Sequence, residues 1–173
     1  MGDWPSLRRI ARQLFPELSD TDISHLLRHH HGGTVVACCG GEIVGYYQLQ
    51  PHGEPGVAWL NYLGVLPAWR GHGIASALLQ LGERHGSAGG FASLALDVLR
   101  DNQRALRFYR RHGYLPLADP RHAAGDKIRI AKPLTPLTAS TPAPALPALT
   151  PAPRLTRVWR RLAYAALIRL PWR

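Results

Sequence analysis

Nowhere in the 173 residues is there a run of about eighteen apolar side chains, so the sequence offers no candidate for a membrane-spanning helix. Acid is missing from the last 41 residues. Residues 1–132 carry 15 Lys and Arg against all 11 Asp and Glu, whereas the remainder carries six Arg and no acid. The formal net charge of +10 thus divides into +4 and +6, with the excess on a tail. That distribution argues against a nucleic-acid-binding body. Cysteine is scarce: Cys38 and Cys39 are the two in the chain, and they are adjacent. Successive strand side chains point to opposite faces, so neither a disulfide between them nor a shared metal is expected. They are expected as buried small hydrophobes in a reducing, cytoplasmic compartment. The N-terminus passes directly into a polar amphipathic segment, so no signal peptide is expected. His29, His30 and His31 are consecutive and lack cysteine or acidic partners at ligand spacing. A solvated helix end is expected there, and no metal.

What is present has a clear order. Leu7, Ile10, Ala11 and Leu14 at helical spacing predict a helix over residues 6–15. Ile23, Leu26 and Leu27, behind the start signal Ser19-x-x-Asp22, predict another over 20–30. Strand chemistry follows at 34–39 and 42–49, joined by Gly40-Gly41, a hairpin link whose tight turn needs positive φ. A third strand is predicted at 57–65, a helix at 73–85, a strand at 92–98, a helix near 102–112, and short strands near 114–118 and 127–131. From Pro133 to Pro153 the composition falls to Pro, Ala, Thr and Leu, which builds no core. Residues 154–170 return to helical patterning, with Leu155, Trp159, Leu162, Ala166 and Leu170 opposite Arg154, Arg157, Arg160 and Arg161. The expected organisation is a domain at 1–132, a linker at 133–153 and a basic amphipathic segment at 154–173.

The segment richest in chemistry is Val65-Leu66-Pro67-Ala68-Trp69-Arg70-Gly71-His72-Gly73-Ile74-Ala75, which joins a strand to an amphipathic helix. Its glycines permit tight turning and leave amides unshielded, and a helix start is an anion site suited to a diphosphate. Arg70 adds a positive charge at the rim. A Walker loop would end in Gly-Lys-Ser/Thr, and no lysine is present. A dinucleotide fingerprint would place a third glycine where Ser76 stands. Asp97 does occupy a strand end where a ribose-binding acid would be expected. However, the preceding strands form a meander rather than a βαβ unit, and too little chain follows for a doubly wound sheet.

The same segment resembles the coenzyme A loop of the GNAT superfamily of N-acetyltransferases, whose signature is Gln/Arg-x-x-Gly-x-Gly/Ala; Arg70, Gly73 and Ala75 fill it here. A second match lies downstream, where Leu96-Asp97-Val98, Asn102, Ala105, Tyr109 and Gly113-Tyr114 resemble that family's strand and Asn-x-x-Ala-x-x-x-Tyr segment. The resemblance covers about three-quarters of the chain. One departure is the family's first strand, which is not visible in residues 1–5. The resemblance implies an α+β fold: a mixed, mostly antiparallel twisted sheet with helices on both faces and a central V-shaped splay between strands 57–65 and 92–98. It further implies acetyl-CoA as acyl donor, with main-chain groups near Leu63 and Val65 along its pantetheine arm. Arg70, Gly71, His72, Gly73, Ile74 and Ala75 would surround the diphosphate, although the signature leaves His72 variable. Asn102 and Arg104 would lie near the coenzyme. The arginine stripe of Arg100, Arg104, Arg107 and Arg111 also fits a solvated helix face. Tyr109 matches the general acid and Asp97 the acidic position that some members use as base; core packing and a turn carboxylate are their plain alternatives. His52, Glu54 and Asn61 border the expected acceptor cleft.

The expected activity is therefore transfer of an acetyl group to a primary amine, on a small molecule or a peptide N-terminus, by direct attack. A silent acyl-CoA-binding module, delivered by its basic tail, is the competing expectation. For residues 154–173 an anionic membrane surface or a protein partner is expected, making the protein cytoplasmic or peripheral to the membrane.

Overall fold

The amphipathic pattern at the N-terminus is realised as α1 (Trp4–Leu14), which buries Ile10 and Ala11 on one side. In this computed structural model residues 4–14, 16, 19–21, 23–24, 34–39, 42–117 and 125–135 are described. Asp20, Thr21, Ile23 and Ser24 are helical, and the Ile23 amide donates to the Ser19 carbonyl at 2.9 Å. The rest of the helix expected at 20–30, with the three histidines, lies outside the described residues. The Arg12 guanidinium grips Asp20 at 2.6 and 2.8 Å, tying the two helical stretches together on the surface.

The strands are β1 (Thr34–Cys39), β2 (Glu42–Pro51) and β3 (Val57–Val65). Cys39 pairs with Glu42 across Gly40-Gly41, the register that a two-residue link demands. A short 3₁₀ turn (Pro67–Trp69) leads to α2 (Ile74–Ala88), then β4 (Ser93–Leu99), α3 (Gln103–Arg111), β5 (Leu115–Pro116) and β6 (Lys127–Pro133). The sheet order is β1-β2-β3-β4-β6-β5, antiparallel throughout except for the parallel pair β3 and β4. This is the mixed, mostly antiparallel sheet that the resemblance implies.

Glycines mark where helices press on the sheet. A Cβ on Gly82 of α2 would stand 3.6 Å from Tyr47 and 3.7 Å from Leu49, and one on Gly86 3.7 Å from Ala58. On the opposite face a Cβ on Gly64 would meet Leu14 of α1 at 2.5 Å. Directly paired strand residues share a face and successive ones alternate. Tyr47, Leu49, Ala58, Leu94, Leu96 and Ile130 therefore face α2 and form the core with Leu79, Tyr109 and Tyr114. Trp59, Asp97 and Arg129 fall on the α1 face.

Two sequence expectations are corrected. Cys38 is exposed and Cys39 half-buried, where buried side chains were expected, because β1 is the sheet edge and its register shifts between Ala37 and Cys38. The folded domain also continues past residue 132. β6 runs to Pro133, Leu134 is buried with its amide donating to the Ala92 carbonyl at 2.8 Å, and the Thr135 carbonyl accepts from the Ser87 hydroxyl. Residues 136–173, with the Pro-rich stretch and the basic segment, lie outside the described residues. Among those described, no helix is long and apolar enough to cross a membrane.

Candidate functional site: a strand fork and its loop

β3 and β4 are neighbours for only part of their length. Their parallel pairing is confined to Val57 with Ser93, Ala58 with Leu94 and Trp59 with Ala95. Beyond Trp59 and Ala95 the two strands separate into a fork. On its other side β3 stays paired to β2, and the Leu66 amide donates to Val44 at 2.9 Å. Backbone groups alternate between the two edges of a strand, so Gly64 addresses β2 while Leu63 and Val65 address the fork. The β2–β3 register also slips: Tyr62 pairs with Gln48 and Leu60 with Leu49. Asn61 is the extra residue, a β-bulge seated two positions past the last β4 rung. The Asn61 Nδ2 is buried and has no hydrogen-bond partner among the described residues.

At the open end of the fork lies the loop 66–73. Its 3₁₀ turn is closed by the Trp69 amide on Leu66 at 2.8 Å and the Arg70 amide on Pro67 at 3.2 Å. Gly71 and Gly73 follow at φ +84° and +77°, left-handed values that a side chain would resist. Gly73 is the N-cap of α2 and supplies no side-chain acceptor; the first amide to reach a carbonyl is that of Ala77, on Gly73 at 3.0 Å. Among the described residues no carbonyl accepts from the amides of Gly71 to Ser76. Space is open within 4 Å of where a Gly71 Cβ would sit. This amide row, at the positive end of a 15-residue helix, has the donors and the room a diphosphate requires. Arg70 serves the loop in a way the sequence did not suggest: its Nε donates to the Val65 carbonyl at 3.1 Å and braces the loop onto β3. The His72 ring lies 6.4 Å from Trp69, with its Nδ1 buried and without a partner among the described residues.

Tyr109 is a core residue and stands against the edges of Phe108 and Tyr114, with ring centroids 5.2 and 5.5 Å away. Burial pushes its phenol well above the ordinary tyrosine range, so it stays protonated. Asn102 proves to be the N-cap of α3: its Oδ1 accepts from the Ala105 amide at 3.0 Å, which explains the helix start. Arg104 is exposed in the first turn of α3. Arg100 is exposed, as are Arg104, Arg107 and Arg111, and its Nε donates to the Gly125 carbonyl at 2.8 Å.

Asp97 lies across β4 from Tyr109, on the α1 face, where Arg129 of β6 is its register partner. The Arg129 Nε donates to Asp97 Oδ1 at 3.2 Å, its Nη1 stands 4.0 Å from Glu54, and its guanidinium lies 4.7 Å over the Trp59 ring. The His52 ring approaches the same indole at 4.5 Å. Three residues named from sequence, His52, Glu54 and Asp97, thus converge on two that were not, Trp59 and Arg129. The missed signal was alternation in residues 127–131, which put Arg129 on a polar face without saying what stood opposite.

The family model described as Acetyltransferase (GNAT) family matches residues 4–114. A mycothiol acetyltransferase of Streptomyces avermitilis is 35% identical over 74 residues, which are 43% of this chain and 24% of that protein. A structure from Desulfovibrio desulfuricans assigned to the GNAT family superposes with a TM-score of 0.64 at 24% identity, over 77% of this chain and 93% of the other. The PaiA N-acetyltransferase of Thermoplasma acidophilum, solved in complex with coenzyme A, gives 0.60 at 18% identity, over 76% and 92%. The two structural likenesses concern the fold.

Proposed function

Because the chain belongs to the Acetyltransferase (GNAT) family, we propose that it is an acetyl-CoA-dependent N-acetyltransferase acting on a primary amine, of a small molecule or a peptide N-terminus. The observation that carries this reading is the fork between β3 and β4 with a row of unengaged amides at its open end. An extended donor fits that geometry. The amides of Gly71 to Ala75 take the diphosphate, and the fork-facing groups of Leu63 with the N–H of Val65 bond the pantetheine arm. Exposed Asn102 and Arg104 border the phosphate end from α3.

The donor supplies an activated acyl carbonyl; the rest of the chemistry belongs to the chain. The amine nitrogen bonds to the acyl carbon, the carbon–sulfur bond breaks, one proton leaves the nitrogen and one reaches the thiolate. Tyr109 and Asp97 stand on opposite faces of β4, which suits this division. From the α2 side the neutral phenol of Tyr109 gives its proton to the departing sulfur. On the α1 side the acceptor lies against Trp59, with Asp97 oriented by Arg129 to receive the proton of the amine, directly or through water. A fork-facing amide on β3 stabilises the oxygen as negative charge grows on it.

The test is mass spectrometry of products after incubating the protein with acetyl-CoA and a mixed amine and peptide library. Acetylated products together with amine-dependent thiol release are expected. Coenzyme A binding without any acetylated product across the library defeats the proposal.

A further inference from the structure

Asn61 has no place in that division of labour, yet three of its features need a cause. It is the extra residue of β3, skipped by the β2 ladder and lying beyond the last rung to β4. Its Nδ2 is a buried donor with no partner among the described residues, an arrangement that proteins rarely leave unanswered. Its neighbours along β3 toward the loop are the fork-facing Leu63 and Val65. Four residues at about 3.3 Å each set Asn61 about 13 Å from Val65, at the closed end of the fork, away from the diphosphate loop. A donor molecule anchored at α2 and extended along β3 brings its acyl end there. We propose that Asn61 is a positioning residue whose side-chain amide donates a hydrogen bond to the acyl carbonyl oxygen. It thereby fixes the acyl group in the fork and distinguishes acyl-coenzyme A from the free thiol. The bulge supplies the device: an extra residue in one strand re-aims a side chain that regular alternation would commit to one face. The inference rests on the acyl-CoA reading above.

Calorimetric titration of wild type, Asn61→Leu and Asn61→Asp with acetyl-CoA and with coenzyme A, no amine present, tests it. Leucine keeps the branched outline and removes the donor; aspartate keeps the shape and replaces the donor with acceptors. Both variants should weaken acetyl-CoA by about tenfold, the size of one hydrogen bond, and leave coenzyme A within about twofold. The thermal midpoint of the unliganded Asn61→Leu protein should be equal to or above wild type, since an unmet buried donor has been removed. Equal weakening of both ligands would make Asn61 a shaper of the groove and overturn the proposal, as would an unchanged ratio of the two affinities. If wild type binds neither ligand, the failure lies in the acyl-CoA reading itself; selective loss or its absence in the variants concerns Asn61 alone.

Discussion

A phenol surrounded by Phe108, Tyr114 and the core leucines holds its proton because no water is at hand to solvate the phenolate. Tyr109→Phe keeps the ring and deletes the acid, so kcat should fall by about 10²-fold while coenzyme A affinity stays within about twofold. Thiol release and calorimetry measure the two separately. Because burial raises this phenol, wild-type turnover should show no alkaline loss from Tyr109 between pH 7 and 10. Arg129 poses the complementary case. Its side chain is 12% exposed and that of Asp97 22%, so removing one charge takes away compensation for the other in a largely dry setting. Arg129→Met should cost about 2 kcal/mol in urea unfolding, and adding Asp97→Asn should recover part of the loss. A double variant as unstable as the single one would show that the ion pair is not the cause.

At the scale of elements, glycine sets the closest approaches. Gly64→Val would force a branched side chain into the 2.5 Å space held by Leu14, and should destabilise by about 1–3 kcal/mol by parting α1 from β3. Gly73→Val acts on the α2 start, where φ is +77°. Twisting that cap turns the amide row, so coenzyme A binding should weaken by at least about tenfold, as read by calorimetry. These elements were legible in the sequence because each carries its own period. Alternation from Thr34 to Val65, the Gly-Gly link and the apolar row Ile74, Leu78 and Leu81 are local signals. The loop 65–75 was equally plain, since glycines bounding a helix start need no distant partner to be understood. The bulge was not. Asn61 and Tyr62 continue the strand's composition, and only the slip of register against Gln48 and Leu49 exposes the extra residue. The Asp97–Arg129 pairing was hidden for a related reason: 32 positions separate the two, and it depends on which strand lies beside β4. Asn102 was read toward a ligand, whereas its Oδ1 first answers its own helix.

The whole molecule shares a sensitivity spread through its core. Tyr46, Tyr47, Tyr109 and Tyr114 are all buried, and desolvation raises every one of these phenols. In the unfolded chain they ionise near pH 10. The stability they contribute is therefore complete below that pH and declines as pH climbs toward their elevated folded values, by up to about 1.4 kcal/mol per pH unit for each. Urea unfolding at pH 9 and 11, with tyrosinate absorbance as reporter, should show the midpoint falling at the higher pH. Ionisation of these four without loss of folding would contradict their burial. The short ladder between β3 and β4 has a different consequence. Among the described residues the amides of Leu63 and Val65 have no strand opposite them, so in deuterated solvent they should exchange quickly, while Gly64 and Leu66, on the β2 side, exchange slowly. Filling the fork would slow only the first set, and occupancy would then appear as an alternating footprint along a single strand.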